Sequence, residues 1–141
     1  MRVCGVGIKA ATACLAIVDF SDGELSYQKL GEKKLELKDD ADSANVRSLA
    51  SSIESFATQH KIDKFVIKQR QKTGAMASGG ITFKIEGLFQ MQKKADVCFV
   101  SAQALTKVSK TNFGAIPDSL ARYQNDAFLA AAAFIQKNEN G

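Results

Sequence analysis

The chain has 141 residues, 45% of them apolar and 24% charged, with a formal net charge of +4. That length can bury roughly two-thirds of the unfolded surface in one domain, 1–141, without a metal or disulfide staple, and the composition excludes a disordered chain. The longest uncharged apolar run, Ala127 to Ile135, is too short to cross a membrane, and the N-terminal apolar run breaks at Lys9, too early for a signal-peptide core. Cys4, Cys14 and Cys98 are odd in number, show no CxxC spacing and sit in apolar runs. They are expected as buried thiols of a reducing, cytoplasmic compartment, not as metal ligands.

Arg2 to Ile8 and Ala13 to Phe20 are rich in β-branched residues and are predicted to pair as strands across Ala10-Ala11-Thr12. The first is apolar on both faces, the pattern of a strand in the middle of a covered sheet. Asp22-Gly23 signals a hairpin into a third, polar strand over 24–37, bent or bulged at Gly31 and placed at the sheet edge. Asp42 or Ser43 caps a helix running to about His60, with Val46, Leu49, Ala50, Ile53, Phe56 and Ala57 as its apolar stripe. His60, next to Lys61, is expected at an exposed helix end and not in catalysis.

Phe65-Val66-Ile67 reads as a buried strand, 64–69, which passes through polar residues and a glycine-rich bend into a helix beginning at Gly79-Gly80. Ile81, Ile85, Leu88, Phe89 and Gln92 mark that helix. A short strand at 96–100, a helix of one or two turns capped by Ser101, and a loop from Lys107 to Ile116 follow. Pro117-Asp118 then opens the longest helix, to about Lys137, with Leu120, Tyr123, Ala127, Ala130 and Phe134 on one stripe.

Chemistry concentrates at the end of the fourth strand, since ligands bind at the carboxyl ends of strands in open α/β sheets. Residues 61–94 hold eight Lys or Arg against Asp63 and Glu86, an excess of six set on a remainder of −2. Either an anionic partner on one face or a solvated lysine-rich surface accounts for that imbalance. Lys68, Gln69, Arg70, Lys72 and Lys84 are the candidate anion-binding residues. The bend 74–80 has a P-loop-like glycine spacing, but Gly80 and Ile81 replace the Lys and Ser/Thr that nucleotide binding needs. What remains is a looser anion cradle at a helix start or a plain connection. Glu86 is either a surface acid or, by preference, an ion-pair partner of Arg70 or Lys68.

Three antiparallel strands followed by alternating helix and strand resemble the ribonuclease H-like fold. The segments Val3 to Lys9, Lys68 to Gly74, the small run ending at Gly79, Phe83 to Glu86 and Tyr123 to Phe128 resemble domain-of-unknown-function family 3010, uncharacterised bacterial proteins similar to the RuvC-type branch of that fold. The resemblance covers essentially the whole chain. It implies an α/β domain with a five-stranded mixed sheet, order 3-2-1-4-5, flanked by helices. RuvC-type nucleases hold divalent metal with carboxylates from the first strand, the fourth strand and the last helix. The matching positions here are Gly7, Gln69, and Asn125 with Asp126, so one acid stands where three or four are needed. The resemblance therefore implies a degenerate module with no catalytic residue and no cofactor, which binds nucleic acid or another polyanion and no membrane. Two alternatives stand beside it: a nuclease using Mg²⁺ or Mn²⁺ at a residual site on Asp126, and a structural protein whose homo-oligomer interface covers the site. Gly7, Gln69, Asn125 and Asp126 are expected to cluster in a pocket of positive potential.

Overall fold

The computed structural model describes residues 1–29, 31–70 and 79–140. The strands are β1 (Arg2–Lys9), β2 (Thr12–Ser21), β3 (Glu24–Gln28), β4 (Lys34–Glu36), β5 (Lys64–Lys68) and β6 (Asp96–Val100). The helices are α1 (Ser43–Gln59), α2 (Gly80–Met91), α3 (Ala102–Val108) and α4 (Asn125–Asn140). The sheet runs β3-β2-β1-β5-β6, with β1, β2 and β3 antiparallel and β1, β5 and β6 parallel. The first and fourth predicted strands are thus neighbours, and Phe65 to Ile67 lie in the middle of the sheet.

The predicted third strand is in fact two. Leu25 pairs with Phe20, whereas Leu35 pairs with Ala13 at the other end of β2, which makes the sheet six-stranded instead of five-stranded. Gly31, at φ 44°, lies in the left-handed region between the two pieces, where a continuous strand cannot persist. Where neither piece reaches, the Leu15 N–H donates to Lys33 O at 2.9 Å. The β2–β3 turn matches its sequence signal: Ser21 pairs with Glu24, and Asp22 and Gly23 take φ of 53° and 78°, as tight hairpins require.

Period-two alternation divides the central strands between two cores. Cys4, Val6, Ile8, Phe65 and Ile67 pack with Leu49 and Phe56 of α1 and Ile85 and Phe89 of α2. On the opposite face Val3 and Val66 meet Ala127, Phe128 and Ala131 of α4 and Leu105 of α3. Gly5 and Gly7 share that second face, and a Cβ built on Gly5 would overlap the Ala127 carbonyl oxygen. Glycine opposite alanine lets the backbone of α4 lie almost on β1. The first turn of α4 is thereby held over the carboxyl end of the strand.

The last helix starts later than its sequence suggests. Residues 118–119 form a turn, Arg122–Gln124 a 3-10 turn, and α4 begins at Asn125. The reason is local. The Gln124 side chain accepts the Ala121 N–H at 3.0 Å, closing a turn that competes with helix, so Leu120 and Tyr123 are not on the helical stripe. The other caps follow expectation, with Asp42 accepting from Ala44 N and Ser101 from Ala104 N. Cys4 and Cys14 are buried, Cys98 is half-buried, and all three are free thiols. Among the described residues, no helix is long and apolar enough to cross a membrane.

Candidate functional site

Because Val66 faces α4, Lys68 two residues on faces it as well, at the end of β5. Its Nζ meets Asp126 Oδ2 at 2.9 Å. Gln69 has the opposite phase: its N–H donates to Val100 O at 2.7 Å, and the residue is exposed. The β5 residue beside Gly7 is therefore Lys68 and not Gln69, since Val6 pairs with Ile67.

A cleft of about 450 Å³ opens where β1 and β5 end beneath the start of α4. Gly7, Asn125 and Asp126 line it together with Lys68 and Arg70, so three of the four expected positions do come together. Gln69 does not line it. Lys9 and Arg122 also line it, which gives, among the described residues, four cationic lining residues against one carboxylate. The positive end of the α4 dipole adds to the same potential.

Arg70 Nη1 donates to the Ile8 carbonyl, tying the segment after β5 to the end of β1. Burial pulls the guanidinium down from its ordinary range, and the charges of Glu86 and then Asp126 offset part of that effect. It remains protonated, as arginine does in proteins. Glu86 is half-buried and its charge acts on Arg70, so it is not a plain surface acid.

Lys84 stands apart from this cleft. On α2 the buried positions are Thr82, Ile85, Leu88 and Phe89, and Lys84 lies off that face, its Nζ donating to Asp40 O at 3.0 Å and to Asp40 Oδ2 at 3.1 Å. Lys72 and the bend at 74–78 lie outside the described residues. Gly79 is the N-cap of α2, and its carbonyl accepts from Thr82 Oγ1 at 2.6 Å.

The donor set does not fit the two-metal carboxylate centre of RuvC-type nucleases. Among the described residues no three His, Cys, Asp or Glu side chains assemble as ligands, and the one acid in the cleft already has an ammonium within hydrogen-bonding distance. Gly7 leaves a side chain little room: a Cβ there would meet Asp126 Cβ at 3.2 Å, so the first turn of α4 would have to give by a few tenths of an ångström.

Lys9, Arg122 and Tyr123 escaped the sequence reading. Lys9 ends β1 and was open to the same strand-end argument that singled out Lys68. Arg122 and Tyr123 were hidden by a helix start drawn from Pro117, although Asn125-Asp126 offered a start signal of its own. Gln124, 1% exposed, anchors this corner by donating to Leu15 O at 2.8 Å and pairing with the Tyr27 hydroxyl.

A family described as Protein of unknown function (DUF3010) matches residues 1–134. The chain belongs to this family. No curated protein sequence matches it. Among solved structures it is similar to Thermus thermophilus RuvC, at TM-score 0.76 and 10% identity over 100% of this chain and 97% of that one. The same protein in complex with Holliday junction substrate gives TM-score 0.71 at 9% identity, covering 100% and 96%. The fowlpox virus Holliday junction resolvase gives 0.52 at 14% identity, covering 100% of each chain. These likenesses show the fold alone: a mixed sheet flanked by helices, similar to that of RuvC.

Proposed function

We propose that this DUF3010 protein is a catalytically degenerate RuvC-like module that binds nucleic acid or a related polyanion in the cleft between β1, β5 and α4. One observation carries the reading: among the described residues the only carboxylate lining the cleft, Asp126, is paired with Lys68, and Lys9, Arg70 and Arg122 surround the pair. Such a site repels a divalent cation and attracts phosphate, whose contacts with Lys and Arg release counterions and make affinity fall with salt. The RuvC structure with Holliday junction substrate supports nucleic acid as the first polyanion to test.

The test is an anisotropy titration with labelled single-stranded, duplex and four-way-junction DNA and with RNA, at low salt, on the native protein and on Lys68→Ala. Binding that weakens with salt, and a salt slope reduced by roughly 0.7–0.9 in the variant, is the expected result. Absence of binding to all four at low salt ends the reading. Asp126-dependent cleavage of a junction in Mg²⁺ or Mn²⁺ would replace it with the nuclease.

A further inference from the structure

Among the described residues Tyr123 is one of few large apolar side chains left in solvent, at 44% exposure, and it lines the cationic cleft instead of the hydrophobic core. Its ring is held: Lys34 Nζ stands 4.0 Å from the ring centroid, and Gln124 next to it is fixed to Leu15, Ala121 and Tyr27. The ring is partly bare among Lys9, Lys68 and Arg122; its hydroxyl can donate to a phosphate, but its faces add nothing to phosphate binding. It does suit a flat π-face, because aromatic side chains beside a basic groove stack unpaired bases without regard to their identity.

We infer that Tyr123 is a stacking platform, and that the cleft takes single-stranded nucleic acid with unpaired bases in preference to a base-free polyanion. This rests on the polyanion reading above and narrows it. Lys9, Lys68 and Arg122 hold the backbone while Tyr123 receives a base, with Lys34 on its ring adding positive charge at the rim. Duplex, whose bases are already stacked and paired, offers the ring nothing.

The experiment compares a labelled thymidine oligonucleotide with a base-free phosphodiester oligomer of equal length and charge, by anisotropy at low salt. The native protein should bind the thymidine oligomer more tightly by about fivefold or more, the range set by one base stacked on an aromatic ring. Tyr123→Leu should remove that preference by lowering affinity for the thymidine oligomer more than for the base-free one, and Tyr123→Phe should keep it. Equal affinity of the native protein for the two oligomers overturns the inference and leaves the polyanion reading intact. So does an equal loss for both oligomers in Tyr123→Leu. If neither oligomer binds at low salt, the inference is overturned, and the polyanion reading falls with it only when duplex, junction and RNA also fail to bind.

Discussion

Replacing Asp126 by Asn separates the binding module from the metal enzyme, because the two accounts give opposite signs. In the binding account Asp126 is a charge that competes with the ligand for Lys68, to which it lies 2.9 Å away. A phosphate held by Lys68 would stand roughly 6 Å from that carboxylate, and at an effective dielectric of about 40–80 the repulsion between them is roughly 0.7–1.4 kcal/mol. Removing it should tighten polyanion binding by about three- to tenfold at low salt. The fold should tolerate the change. The two side chains are 30% and 55% exposed, so the pair contributes no more than about 1 kcal/mol to stability. The assay is anisotropy with a labelled oligonucleotide in chelator, with circular dichroism confirming the fold. Affinity that is unchanged or weaker in Asp126→Asn would refute the placement of the ligand beside Lys68.

Three further outcomes test the framework that holds the cleft. Gly5→Ala should cost about 3 kcal/mol or more by denaturant unfolding, since its Cβ overlaps the Ala127 carbonyl and α4 must move off β1; a loss under 1 kcal/mol would contradict the close approach. Gln124→Leu leaves the Leu15 carbonyl and Ala121 N–H without their partner, and should destabilise by about 1–3 kcal/mol while loosening Tyr123. Burial pushes the Cys4 thiol well up from its ordinary range. Its native pKa is thus above the unfolded value of about 8.5, so above that pH the unfolded state binds fewer protons and stability falls as pH rises. The unfolding midpoint of the native protein should drop more steeply than that of Cys4→Ala between pH 8 and 10, and parallel curves would contradict it.

The core of the fold was legible because its signals are local and strong. The two-sided apolar pattern of Val3 to Ile8, the Asp22-Gly23 turn and the stripe from Leu49 to Ala57 each dictate one structure, and the sheet order followed from them with the resemblance. The third strand and the start of the last helix were misread where competing interactions decide. Gly31, expected to bend or bulge one strand, breaks it into two, and the Gln124 side chain takes a backbone N–H that a helix would otherwise have organised. For the site, location was readable and membership was not. Whether a strand-end residue faces the cleft depends on phase, which puts Lys68 in and Gln69 out, and Lys84 was drawn away by Asp40 across a contact of 44 residues in sequence. Tyr123 was assigned to the core by spacing alone, and its exposure is a consequence of tertiary hydrogen bonds.

The central claim is that this cleft prefers an anion to a divalent cation, and paired calorimetric titrations of the native protein at low salt measure that preference directly. With an oligonucleotide as titrant, the account predicts saturable binding that weakens in Lys68→Ala, and with Mn²⁺ no saturable binding that depends on Asp126. Saturable Mn²⁺ binding that disappears in Asp126→Asn, without any Lys68-dependent oligonucleotide binding, would contradict it.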